Sequence, residues 1–351
     1  MKNSNFDSES GRISAADAGV AGGMLAPDAG ISTSAPIPPC AVLLIDKPAG
    51  YTSHDVVSRL RRLTGIKKIG HAGTLDPFAT GLLIMMVGKA TRLFDYFMPL
   101  GKEYLVKVQF GASSTTGDID GKITVLSDAA SSEAESGPLV KTVTGALADP
   151  VVTEAALRDI LPEFTGEIYQ KAHAFSAVKV GGEALYKKAR RGEAVEAPVR
   201  QVEITRLELE SFDAENQRAS LSVDCSKGTY IRQLVEDIAD RLGTAAYALE
   251  LRRTRIGEYG LERASALKEL AALPPDTLLT DANPSFISGL GALYFLPVRE
   301  VDEIEARAVN NGRRLAGEAD GPIRIACDGR ILAIYGPCDK PGELRPLVVL
   351  A

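Results

Sequence analysis

Residues 70–83 read GHAGTLDPFATGLL. Gly70, Gly73 and Gly81 punctuate the stretch, which holds one histidine (His71), one carboxylate (Asp76) and a proline directly after that carboxylate. A helix interior tolerates such glycines poorly and a strand tolerates the proline poorly, so the segment reads as a loop. Two readings compete. An Asp before Pro commonly organises a plain Asx turn. Alternatively, the backbone is shaped to present one carboxylate to a substrate, with glycines letting it pass close to that substrate and proline stiffening the turn.

The flanks place this loop in a fold. AVLLIDKPAG (41–50) is an apolar strand ended by a turn, and LLIMMV (82–87) is a buried strand. Between them, Ser53 is placed to cap a helix with Val56, Val57, Leu60 and Leu63 on one stripe and Arg59, Arg61 and Arg62 off it. KATRLFDYF (89–97) reads as helical. KEYLVKVQFG (102–111) alternates, with Tyr104, Val106, Val108 and Phe110 on one face and Lys107 and Gln109 on the other.

TTGDIDG (115–121) is a turn, and the small-residue run 127–150 reads as a surface-loop insertion. TEAALRDILPEF (153–164) is a helix capped by Thr153, and YKKARRG (186–192) is a short basic helix. Two strands follow, QVEITRLELESF and RASLSVDCS, and then TYIRQLVEDIADRLG (229–243), an amphipathic helix capped by Thr229 and stopped by Gly243. SALKELAAL (265–273) is a further helix, and from about residue 289 short strands and turns predict a small β-rich domain.

Helices and strands alternate without a βαβ rhythm, which predicts an α+β fold with a mixed, largely antiparallel sheet. Residues 1–39, rich in Ser, Ala, Gly and Pro, read as a disordered tail, leaving 40–288 and 289–351 as the two domains.

Composition narrows the chemistry. Apolar residues make up 45% of the 351 and charged residues 25%, ordinary for a globular protein with a real core. No apolar run reaches about 18 residues, so no membrane span is expected, and the start lacks the apolar stretch of a secretory signal. Cys40, Cys225, Cys327 and Cys338 are scattered, and with three histidines they show no metal-ligand spacing; reduced thiols of a cytoplasmic protein are the plain reading.

The net charge of −6 argues at first against nucleic acid. It is uneven, however: residues 41–100 and 171–206 each hold eight Lys/Arg against four acids, or +4. Residues 118–163 hold nine acids against three bases, or −6. Two basic segments around an acidic one are compatible with a phosphate-binding face, or with mere solvated surface. GLLIMMVGKAT (81–91) imitates a phosphate loop, but the run between its glycines is apolar strand. Cys225 has no histidine near it in sequence, so packing is preferred over nucleophilic chemistry. Tyr230 and Arg232 stand two apart at a helix start, after a glycine that lets the chain turn toward a neighbouring loop.

Six blocks carry a resemblance: LLIDKPAGYTSHDVV (43–57), the opening loop, KEYLVKVQFG, FSAVKVGGEALYKKARRG (175–192), CSKGTYIRQLVEDIADRLG (225–243) and LRRTRIG (251–257). In this order they resemble the TruB family of tRNA pseudouridine synthases, collinearly over residues 41–260. The resemblance implies the pseudouridine synthase fold, with residues 289–351 as a PUA-like domain. It implies the isomerisation of uridine to pseudouridine at position 55 of the TΨC loop of tRNA, with no cofactor and no metal. It also implies a monomer that binds the tRNA T-arm and needs no protein partner.

By the same resemblance, Asp76 is the essential carboxylate, Arg232 its partner and Tyr104 the residue that stacks on the target base. Tyr230 and Leu251 line the uracil pocket, and His71 fills the space left by a flipped base. Lys47 joins the substrate-binding set, as do Lys179, Lys187 and Arg190 of a basic arm (173–203) that closes over RNA. Three departures stand out. KAHAFSA (171–177) lacks the family's prolines and has Phe175 for tyrosine, Ser114-Thr115-Thr116 replaces Thr-Asp-Thr, and the 127–150 insertion is long. The alternatives are an RNA-guided synthase subunit and a non-catalytic tRNA-binding or folding protein.

Overall fold

The Cys40–Lys47 strand is apolar on both sides because it runs inside a covered sheet, where Ala41 to Ile45 are fully buried. It pairs antiparallel with Thr80–Gly88 along its whole length, from Cys40 opposite Gly88 to Lys47 opposite Gly81. Ile69–His71 pairs antiparallel with the same Thr80–Gly88 strand, His71 opposite Met85, and that register brings the two ends of the Asp76 loop together. The molecule is a computed structural model that describes residues 40–126, 151–176, 178–191, 193 and 197–350. The tail (1–39) and the insertion (127–150) lie outside the described residues.

Among the described residues the main sheet has eleven strands. Its path runs Ser265–Ala266, Cys40–Lys47, Thr80–Gly88, Ala246–Ile256, Lys102–Phe110, Arg218–Cys225, Val199–Asp213 and Gly166–Lys171. Two pairings on this path are parallel, Ser265–Ala266 with Ile45–Asp46 and Arg252–Arg253 with Thr80–Gly81; the rest are antiparallel. The mixed, largely antiparallel sheet expected from the sequence is therefore present.

Alternation fixes which face is which. Tyr104, Val106, Val108 and Phe110 are buried with Leu234, Val235 and Ile238 of the Ile231–Arg241 helix, each aliphatic side chain contributing about 1.5–3 kcal/mol. Leu105 and Lys107 face the open side, but Gln109 is buried, donating to the carbonyls of Phe110 and Asn216. The Ser53–Thr64 helix buries Val56, Val57 and Leu60 against Leu43, Ile45 and Leu83.

Two expected caps are corrected. Thr52, not Ser53, caps the first helix through a reciprocal box with Asp55, and Ser53 is released for the Asp76 loop. Thr229 does not cap the Ile231–Arg241 helix; its hydroxyl donates to the Ser226 carbonyl. Thr153 caps Glu154–Ile160 as expected. Residues 89–97 form a 3₁₀ turn, Lys89–Leu93, and one α turn, Phe94–Phe97.

A second, five-stranded sheet follows, in the order Val298–Glu300, Ile323–Cys327, Arg330–Pro337, Glu343–Val349, Leu315–Ala316. Val309, Ile325, Tyr335 and Leu344 form its core, and the Glu303–Asn310 helix, capped by Asp302, packs there too. Strand patterning alone had missed that helix. Ile331, Ile334 and Leu350 join the main sheet's Leu44 and Ile84 in one apolar cluster. No helix among the described residues is long and apolar enough to cross a membrane.

Candidate active site

The Asp76 loop is held by its own carbonyls. Gly73 and Thr74 oxygens accept from the Arg253 guanidinium at 3.2 and 3.3 Å. The Leu75 oxygen accepts from the Ser53 hydroxyl, which in turn accepts from Leu75 N at 2.9 Å. The Asp76 oxygen accepts from Ala79 N, closing a β-turn with Pro77 at its second position. The Pro77 oxygen accepts from Gly50 N and from the Lys47 ammonium at 3.2 Å. Five successive carbonyls are thus satisfied, and the loop is fixed before any substrate arrives.

The glycines serve this packing. A Cβ on Gly81, at φ +104°, would stand 2.2 Å from the Arg253 carbonyl oxygen, so Gly81 approaches the protein's own backbone and not a ligand. Gly73 adopts φ +100°, which favours glycine, whereas Gly70 has no such need.

The β-turn uses the Asp76 backbone, and its carboxylate goes elsewhere. Its Oδ2 lies 2.9 Å from Nε of Arg232, whose side chain is 5% exposed against 34% for Asp76. Arg232 also donates Nη1 to Asp118 Oδ2 (3.0 Å) and the Thr116 carbonyl (2.7 Å), and Nη2 to the Phe175 carbonyl (3.0 Å). One guanidinium therefore joins the catalytic-loop candidate, the acidic turn and the root of the arm. Burial raises the Asp118 carboxyl, opposed by the Thr116 hydroxyl and by Arg232. The helix start that aims Arg232 is tied by Gln170, which accepts from Tyr230 N and donates to the Tyr230 carbonyl.

A cavity of about 510 Å³ opens here, and Asp76, Tyr104, Tyr230, Arg232 and Leu251 all line it. Tyr104 is buried, and desolvation raises its phenol, keeping it protonated. His71 ends the Ile69–His71 strand beside the loop and does not line the cavity; its buried Nδ1 has no hydrogen-bond partner. Burial, with Arg253 and His54 nearby, lowers His71, so its ring stays neutral.

Lys47 is fully buried and lies outside the cavity lining; its ammonium bonds the Pro48, Tyr51 and Pro77 carbonyls and so braces the loop. Lys179 and Lys187 are exposed on the arm, outside the cavity lining; the Arg190 side chain lies outside the described residues. Arg191, next along the arm, pairs with Glu183 and Glu193. Cys225 is buried and its thiol pushed up to about 11, which fits packing and not nucleophilic chemistry.

Sequence reading missed Arg253, Ser53 and Asp118 as parts of the site. Arg253 stands inside LRRTRIG beside two other arginines, and nothing in that run marks the one buried at 1% exposure.

The family model described as "TruB family pseudouridylate synthase (N terminal domain)" matches residues 61–149 and 140–231. The tRNA pseudouridine synthase B of Arthrobacter sp. (strain FB24) is 37% identical, covering 88% of this chain and 96% of the relative. That of Thermobifida fusca (strain YX) is 39% identical, covering 88% and 98%. Among solved structures, the fold is similar to a Cbf5-Nop10-Gar1 complex chain, with a TM-score of 0.63 at 22% identity over 92% of each chain. It is also similar to a chain of an archaeal box H/ACA Nop10-Cbf5 complex, with a TM-score of 0.60 at 22% identity over 89% and 86%. Those structures establish the fold; the near-full-length relatives establish the lineage, and the chain belongs to the TruB family of pseudouridylate synthases.

Proposed function

We propose that this protein isomerises uridine to pseudouridine at position 55, in the TΨC loop of tRNA. The observation that carries this reading is the Asp76–Arg232 pair, opening on a cavity from a loop whose carbonyls are all engaged. The N1–C1′ bond breaks, the base turns, a C5–C1′ bond forms, the C5 proton leaves and N1 takes up a proton. Asp76 is the nucleophile or the anionic partner of the electron-poor carbon, and Arg232, 2.9 Å away, keeps it aimed. Tyr104 stacks on the extruded base, with Tyr230 and Leu251 as the pocket walls.

Extrusion costs a few kcal/mol, and neutral His71 occupies the gap left in the RNA loop. Lys179, Lys187 and Arg190 of the 173–203 arm neutralise phosphates, so binding weakens as salt rises. Residues 40–288 form the catalytic domain and 289–351 a PUA-like RNA-binding domain. The enzyme works in the cytoplasm as a monomer without a protein partner.

The test is tritium release from tRNA transcript labelled at C5 of uridine, with no guide RNA present. Wild type should release tritium and Asp76→Asn should not. Equal background from both would defeat the enzymatic reading, and release only when a guide RNA is added would favour the RNA-guided alternative.

A further inference from the structure

The arm leaves the sheet at Lys171 and runs through Ala172, His173 and Ala174 to Phe175 without a proline, so nothing covalent stiffens its root. Hydrogen bonding does so instead. His173, 4% exposed, accepts at Nδ1 from the backbone N of Phe175 at 3.1 Å. Nδ1 therefore carries no proton, and the neutral ring's proton sits on Nε2. That nitrogen faces Glu236 Oε1 at 3.7 Å.

Glu236 lies one turn beyond Arg232 on the same helix, so both side chains meet the arm on one face. Phe175 is strung between the two groups: its N–H goes to His173 and its carbonyl accepts from Arg232 Nη2 at 3.0 Å. Gly117 closes the ring from the other side. At φ +71°, a Cβ there would stand 2.7 Å from His173 Nε2 and 2.9 Å from Glu236 Oε1. Its neighbours Thr116 and Asp118 are the groups that take Arg232 Nη1.

We infer that His173 is a positioning residue, which seats the arm root so that the Phe175 carbonyl fixes the Arg232 guanidinium against Asp76. The inference rests on the pseudouridine synthase reading. Without His173 the Phe175 peptide loses its anchor, Nη2 of Arg232 loses a fixed acceptor, and the guanidinium is free to swing from the carboxylate. Substrate affinity should change little, because the cations of the arm that meet phosphates are all retained and His173 is not one of them.

Single-turnover rates at saturating tRNA transcript, together with tRNA dissociation constants, test this. His173→Ala should react about tenfold more slowly, as expected for a small misplacement of a catalytic group, with affinity within about threefold. His173→Asn, whose amide oxygen can replace Nδ1 as acceptor, should recover to within about threefold of wild type. Gly117→Ala should behave like His173→Ala. A wild-type rate for His173→Ala, or a His173→Asn rate as low as that of the alanine variant, would overturn the inference. Should His173→Ala fail to fold, His173→Asn against His173→Leu decides in the same way. Wild type is the control: if it makes no pseudouridine, the functional reading fails and not merely this one.

Discussion

Two cavities open beside the Lys102–Phe110 strand, and they share Leu251 and Asp120. The larger, about 1050 Å³, lies on the open face of the sheet. Its charges pair in water: Lys107 with Glu250 (52% and 63% exposed), and Arg252 with Asp46. Such pairs contribute about 0–1 kcal/mol, and a lining charge outside them, Glu210, is exposed to water. The smaller cavity, about 510 Å³, holds a guanidinium withdrawn from water and divided between two carboxylates. Buried charges are costly unless each is satisfied, and here they constrain one half-buried carboxylate, Asp76. Volume alone points to the larger cavity; buried, shared charge favours the smaller.

The largest effect that would separate the two is Asp76→Asn. It should reduce turnover by at least about 10³-fold, as expected for an essential nucleophile or its electrostatic equivalent. tRNA affinity, measured by filter binding, should stay within several-fold because phosphates carry it. Arg232→Ala comes next. It strands Asp118 and removes the partner of Asp76, so turnover should fall about 10²-fold. Stability in urea unfolding should fall by about 3–5 kcal/mol. Near-normal rates would sink the proposed pairing.

A smaller effect depends on pH. Burial pushes Lys47 from 10.5 down to about 8, against the pull of Asp76, and burial also pushes Lys102 to about 8. Lys47 braces Pro48, Tyr51 and Pro77, and Lys102 braces Met98 and Leu100. As pH rises through 8 the folded protein sheds these protons before the unfolded chain does. The burial cost of the ammonium groups is thereby relieved between about 8 and 10.5, and their contribution to stability improves. A neutral amine, however, has only two N–H donors for the three carbonyls around Lys47. Single-turnover rates should therefore fall above pH 8 while the unfolding free energy does not fall on account of these groups. A rate profile flat to pH 10 would remove Lys47 from the loop's support.

The smallest effect belongs to the large cavity. Lys107→Ala and Glu250→Ala should each change turnover less than about twofold and stability by less than about 1 kcal/mol. A tenfold rate loss from either would mean that the open face takes part in the reaction.

The sheet was legible because Lys102–Phe110 alternates over most of its length and the apolar runs at 40–47 and 80–88 are buried on both faces. Asp76, Tyr104 and Arg232 were found through the collinear blocks around them, not through their own residue types. The loop's supports were less visible. Arg253 and Lys47 resemble surface cations in sequence, and burial depends on pairings 171 to 180 and 30 residues away. The helix caps slipped by one residue because Thr52-Ser53 offers two hydroxyls, and only the Asp76 loop decides which is free. The glycines were read toward a ligand when Gly81 packs on Arg253, a close approach that only the parallel pairing of Thr80–Gly81 with Arg252–Arg253 creates.

The most direct test of the central claim is to map pseudouridine in a naked tRNA transcript after incubation with wild type and with Asp76→Asn. One pseudouridine, in the TΨC loop and only with wild type, is the expected result. Pseudouridine formed equally by both proteins, or by neither, would contradict it.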